Sequence, residues 1–253
     1  MSIPTPPGRR RWLALDTSTA ALSIALGAAG ADTPLAYHGG EGGPQASARL
    51  LPAIVDLLRQ LDWPLAALDG MVFGCGPGSF TGLRTACAVV QGLAAGARPG
   101  GVPVLPLSTL LAVAEAARHT HAPEAAQLQV WAALDARMDE VYVARYAWRA
   151  GHGWQELVAP RLSAPEALPE PDDATTLCAG NVGGVYAERL PAAWRGALAC
   201  HTLPDAAALL RLAAQGIEHG LCVPAAHAQP LYVRDKVALD VHEQAALRAA
   251  RGG

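Results

Sequence analysis

Residues 76–84 read GPGSFTGLR. The short apolar run Met71-Val72-Phe73 stands before them, and a segment of Ala, Val, Leu and Gly follows. That order predicts a strand, a glycine turn and a helix. Gly76, Gly78 and Gly82 can take positive φ without a Cβ penalty, and Pro77 stiffens the turn. Ser79 or Thr81 can cap the helix, whose first N–H groups have no partner inside it. A helix start of this kind can hold a phosphate. The same residues also read as a well-capped strand-to-helix turn with no ligand.

Working outward, three strand-like runs at 12–16, 21–26 and 34–38 precede this unit, joined by turns short enough for an antiparallel meander. A helical run covers 47–61, a strand 71–74, a helix 83–97 and a strand 102–106. The order β-β-β-α-β-α-β is that of the ribonuclease-H-like fold of actin, Hsp70 and sugar kinases. The expectation is a two-lobed α/β protein with mixed sheets and flanking helices. A helix at 109–119 crosses to the second lobe. There, strands at 129–134 and 141–148 flank a hairpin at 135–140. The Pro/Glu/Asp-rich stretch 164–173 reads as a loop. A strand at 176–179 leads into GNVGG, then a helix at 184–190, and a helix at 205–216 returns to the first lobe. The lobes are assigned as 11–106 plus about 205–222, and 107–204. Residues 1–10 are expected to be a mobile tail, and 223–253 a C-terminal segment with a polar end at 239–253.

Composition removes several function classes. Hydrophobic residues make up 51% of the 253 and charged residues 16%, so a sizeable core can form. The net charge is −3. A protein that grips an RNA backbone alone usually shows a basic face, so a free-standing RNA-binding module fails on charge. The one lysine, Lys236, stands in no GxxxxGK[ST] loop and on no kinase strand. Five cysteines without a CxxC pair suit a reducing compartment. Asp16 interrupts the apolar run after Arg9-Arg10-Arg11, which argues against a secretory leader. No run reaches membrane-spanning length. The expected location is the cytoplasm, away from any membrane.

Catalytic constellations are sparse. Asp16 ends the first strand, where nucleases of this fold keep one of several metal carboxylates. The first helix here offers only Asp56, and the fourth strand ends Phe73-Gly74-Cys75. No His pair has the i,i+4 spacing of a zinc helix, and Ser79 lacks a GxSxG frame. No catalytic residue and no metal site are assigned. The residues placed to contact a nucleotide phosphate are Asp16, Thr17 and Ser18 in one turn and Gly76, Gly78, Ser79, Thr81 and Gly82 in the other. Asp135-Ala136-Arg137 reads either as a second phosphate loop or as an ion-paired hairpin, and GNVGG as an approach to adenosine or as a plain turn. Two helices look over-supplied with apolar surface. Leu50, Ile54, Leu57 and Leu61 form one row of the first, and Leu51, Val55 and Leu58 another. Ala88, Gly92 and Gly96 form a small-residue row on the second. Such surface marks an association site.

The 76–84 string occurs together with LALDTST at 13–19, LDARMDEVY at 134–142 and PLYVRDKVA at 230–238. Taken together, these resemble the TsaB (YeaZ) family over roughly residues 11–238. The resemblance implies a non-catalytic subunit in the making of threonylcarbamoyladenosine beside the tRNA anticodon. It implies pairing with a catalytic, TsaD-like transferase paralogue through the helices 47–61 and 83–97, with partner contacts at Leu50, Ile54, Leu57, Leu61, Ala88, Gly92 and Gly96. It further implies that a TsaE-like ATPase subunit joins the assembly and that tRNA is met only through the complex. The chain needs no cofactor of its own, though ATP or ADP can enter the assembled complex. In isolation it can form a homodimer. One departure is Ala46, where TsaB chains commonly carry His. The competing reading is an ATP-dependent small-molecule kinase of the same fold.

Overall fold

Strand β1 (Trp12–Asp16) is buried along its whole length. Its residues alternate between two cores. Trp12 and Ala14 face one, Leu13 and Leu15 the other. A strand covered on both faces must lie in the middle of its sheet. The computed structural model describes residues 11–42, 46–171, 173 and 176–234. The tails expected over 1–10 and 239–253, and Lys236, lie outside the described residues.

The first sheet has the order β3-β2-β1-β4-β5, built from β1, β2 (Ala21–Gly27), β3 (Ala36–Glu41), β4 (Gly70–Gly76) and β5 (Val104–Ser108). β1–β2 and β2–β3 are antiparallel, while β1–β4 and β4–β5 are parallel. Helices α1 (Ala46–Gln60) and α2 (Phe80–Gly96) cover one face, over Leu13, Leu15, Ile24 and Phe73. Helices α3 (Thr109–His121) and α6 (Ala206–Glu218) cover the other. Their core, with Leu110, Val113, Leu209 and Leu210, continues into Val130, Leu134 and Tyr146 of the second sheet.

That second sheet is ordered β8-β7-β6-β9, from β6 (Gln127–Arg137), β7 (Glu140–Arg149), β8 (Gly153–Ser163) and β9 (Thr176–Gly180). Counted within its own lobe, the order is 3-2-1-4, the same as the first four strands of the first sheet. Its far face packs on α4 (Val182–Tyr186) and α5 (Ala192–Arg195) around Trp131, Val143 and Trp194.

Several elements differ from the sequence reading, among them the short α5, which was not expected. β3 starts at Ala36 and runs to Glu41 through Gly39-Gly40, which carry no strand signal. The helix expected at 184–190 is instead α4 followed by a 3-10 turn, Ala187–Arg189. β8 was not expected at all. It is an edge strand, mostly exposed or half-buried, and it contains Pro160. Val143 pairs with Arg161 and Arg145 with Val158, so Pro160 sits in an irregular stretch where a missing N–H breaks no ladder bond.

Candidate functional site

The parallel strands β1 and β4 end side by side at Asp16 and Gly76, where ligands of open α/β sheets bind. The structure brings Asp16, Thr17, Ser18, Gly78, Ser79 and Gly82 into one junction. The Thr17 hydroxyl donates to the Gly82 carbonyl at 2.7 Å. The Ser79 N–H donates to the Ser18 carbonyl at 2.7 Å. A Cβ on Gly82 would stand 1.9 Å from the Thr17 oxygen, and one on Gly78 would stand 2.5 Å from the Ser18 oxygen. These two glycines therefore serve close backbone approach. Positive φ, which the sequence offered as the reason for all three, occurs only at Gly76, at +129°. Ser79 is the helix cap, its Oγ accepting from Gly82 N at 3.4 Å. Thr81, the other capping candidate, lies exposed inside the first turn.

Asp16 is buried, and its Oδ1 accepts from the Ser18 N–H at 2.9 Å and the Ser18 hydroxyl at 2.7 Å. Among the described residues Oδ2 has no hydrogen-bond partner, and neither does the buried Thr109 hydroxyl. Gly74 makes room for this carboxyl, since a Cβ there would lie 1.9 Å from Oδ2. Burial pushes the Asp16 carboxyl up to about 6, against the pull of the two Ser18 hydrogen bonds, with Asp205 adding a smaller upward push.

Across the lobes, Asp135 forms the ion-paired hairpin rather than an open loop. Oδ2 lies 3.2 Å from Arg137, and Oδ1 accepts from Arg137 N and the Tyr186 hydroxyl, both at 2.8 Å. Asn181 of the GNVGG turn accepts from Asp135 N at 2.8 Å. A Cβ on Gly180 would stand 1.6 Å from the Ala133 oxygen, so this glycine seats β9 against β6. Arg137, Met138 and Asp139 all have positive φ, at 62°, 56° and 59°. Three consecutive left-handed non-glycine residues persist only where the surroundings fix them.

Two structures that sequence reasoning missed join the lobes. The extended strap 228–234 crosses the mouth of the junction. Leu231 N donates to Cys75 O at 2.7 Å, Arg84 Nε donates to the Tyr232 hydroxyl at 3.1 Å, and Arg234 reaches Glu140 and the Arg137 carbonyl. On the α3–α6 side, Glu115 accepts from Arg118 twice at 2.9 Å, from Arg211 at 2.8 Å and from Trp154 Nε1 of β8 at 2.9 Å. Burial pushes the Glu115 carboxyl up, but these donors outweigh it and hold it below its ordinary value. Gln215 of α6 meets both the N–H and the carbonyl of Trp154. The sequence signal was a Glu115–Arg118 pair at i,i+3 that follows the apolar run Leu110–Ala114.

The helix surface requires a correction. Leu50 and Ile54 are fully buried and Leu57 nearly so, so these three face the sheet and cannot meet a partner, while Leu61 is half-buried at the end of the row. Burial of each large aliphatic side chain is worth about 2 kcal/mol, enough to set how an amphipathic helix turns. Leu51 and Val55, at 44% and 39% exposure, face outward instead. Ala88, Gly92 and Gly96 are exposed, and a Cβ on Gly92 or Gly96 would meet nothing within 4 Å. Among the described residues no cluster of His, Cys, Asp or Glu could hold a metal ion, and no helix is long and apolar enough to cross a membrane.

A family model described as TsaD, tRNA N6-adenosine threonylcarbamoyltransferase, matches residues 42–177. The tRNA threonylcarbamoyladenosine biosynthesis protein TsaB of Haemophilus influenzae is 35% identical over 89% of this chain and 94% of its own length. Its Escherichia coli counterpart of the same name is 32% identical over 90% and 96%. The solved structure of YeaZ from Pseudomonas aeruginosa superimposes with a TM-score of 0.74 and 37% identity, covering 88% of this chain and 99% of that one.

Proposed function

The chain belongs to the TsaB family of tRNA threonylcarbamoyladenosine biosynthesis proteins, and from that premise we propose that it acts as the non-catalytic subunit of the machinery. It pairs with a catalytic transferase paralogue of the TsaD type, and a TsaE-like ATPase subunit joins the pair. The activity belongs to the assembly, which modifies the adenosine beside the tRNA anticodon in the cytoplasm. The chain requires no cofactor of its own, and any ATP or ADP is held by the complex. When isolated, it self-pairs through the helices that otherwise meet the paralogue. Those helices are α1 and α2, presenting Leu51 and Val55 with the Ala88-Gly92-Gly96 row.

The observation that carries this reading is how the polar atoms at the cleft are used. The Thr17 hydroxyl is spent on the Gly82 carbonyl, the Ser18 hydroxyl on Asp16 and the Ser79 N–H on the Ser18 carbonyl, so these groups bond within the junction instead of pointing at a phosphate. Kinases of this architecture also close their lobes on the nucleotide. Here the Glu115 network and the Arg234 strap tie the lobes on two sides. Both features favour a rigid partner over a moving enzyme.

Co-expression with the transferase paralogue, followed by size-exclusion chromatography, tests the pairing. The expected result is one joint peak containing both chains. Two separate peaks would contradict it. The isolated chain should not turn over ATP. Robust turnover that disappears in Asp16→Ala would restore the kinase reading.

A further inference from the structure

Two side chains of the 76–84 string take no part in the junction with Asp16, Thr17 and Ser18. Phe80 and Arg84 meet the strap instead. The Arg84 guanidinium lies 3.9 Å from the Phe80 ring centre, and its Nε donates to the Tyr232 hydroxyl at 3.1 Å. The Phe80 and Tyr232 rings are 5.4 Å apart. Arg84 is nonetheless exposed, as is Tyr232 at 43%. Among the described residues no carboxylate lies within ion-pair distance of Arg84.

A long cationic side chain normally spends its rotamer freedom in water. This one is stacked on a ring and tethered through Nε, so its two terminal NH2 groups are presented in a fixed fork. Such a fork matches a carboxylate, and most of the ordering entropy is already lost before it arrives. The stack uses Tyr232 of a second quoted string, so two distant parts of the chain cooperate to hold one cation at the surface. Arginine and tyrosine are also the residues that dominate binding energy at interfaces.

Arg84 occupies a telling place. At spacings of four residues it leads the exposed α2 row Arg84, Ala88, Gly92, Gly96. Small residues let a partner helix approach closely but do not fix where along the row it stops. A single charged contact at one end does fix it.

We propose that Arg84, set by Phe80 and Tyr232, is the polar anchor of this face and receives a carboxylate from a helix of the partner protein. The inference rests on the pairing reading above and adds to it the group that sets register. The test is the dissociation constant between this chain and the transferase paralogue, measured at two salt concentrations. Arg84→Glu should weaken pairing about 30-fold or more, as for an interface anchor. Arg84→Gln should weaken it less and flatten its salt dependence, and Arg84→Lys should fall between Gln and the parent. Circular dichroism should be unchanged in all three, since the side chain is exposed. Gly92→Arg is the reference arm. If Gly92→Arg blocks pairing but Arg84→Glu does not, the anchor is wrong and the pairing reading stands. If neither variant affects pairing, the anchor is wrong and the pairing surface lies elsewhere than this face. If Arg84→Glu pairs normally but the assembled complex loses affinity for tRNA, the fork meets a phosphate instead, and the proposal is overturned.

Discussion

Asp16 is a buried carboxylic acid at the end of a central strand. Its carboxyl is buried and pushed up to about 6, so the fold favours the protonated form. The stability it contributes is full below the ordinary carboxylate range and is lost as pH rises through about 6. Asp16→Asn keeps an oxygen for the Ser18 donors and removes the charge. The variant should be more stable than the parent by about 1–3 kcal/mol at neutral pH, and this gain should vanish near pH 4. Urea denaturation of both proteins across that range checks it. A parent at least as stable as the variant at neutral pH would mean the ionised carboxylate is stabilised by something other than Ser18. Gly78 and Gly82 make a second residue-scale case. Gly82→Ala should cost about 2 kcal/mol or more, because the new methyl meets the Thr17 carbonyl rather than a strained φ. An unchanged melting temperature would show that the two turns separate easily.

At the scale of elements, the sequence was most legible where one pattern had one structural outcome. β1, β2 and β4 are continuous apolar runs bounded by polar or glycine turns, and they stand within a residue or two of where the sequence predicts them. α1 shows the opposite case. Its two apolar rows are equally good by periodicity, and only the sheet beneath it decides that Leu50, Ile54 and Leu57 turn inward while Leu51 and Val55 stay out. β8 was invisible because an edge strand need not be apolar, and Pro160 reads locally as a breaker. The Glu115 network was equally hidden, since Trp154 and Arg211 lie far away in sequence. It yields a prediction for α3. Glu115→Gln would leave Arg118 and Arg211, at 11% and 10% side-chain exposure, without the carboxylate they share, and Arg118 with only the weaker pull of Asp32. That should cost about 3–5 kcal/mol, read as a lower urea midpoint. A cost under about 1 kcal/mol would mean water reaches both guanidiniums. At the candidate phosphate site, the residues were legible but their use was not. The sequence named Asp16, Thr17, Ser18, Gly78, Ser79 and Gly82, yet could not show that their hydrogen bonds close on one another.

At the scale of the whole molecule, two sheets with one strand order face each other across α3 and α6, tied by the buried network on one side and the strap on the other. Gly92→Arg puts a long charge on open helix surface, so the chain should fold normally and fail to bind the paralogue. Loss of folding in that variant would place the row inside. The most direct measurement is threonylcarbamoyladenosine formed on tRNA by the transferase paralogue and its ATPase subunit, with and without this chain, beside this chain alone. The expected result is product only when the chain and the paralogue are both present, and none from the chain by itself. Product from this chain alone, or undiminished product without it, would contradict its role as a required non-catalytic subunit.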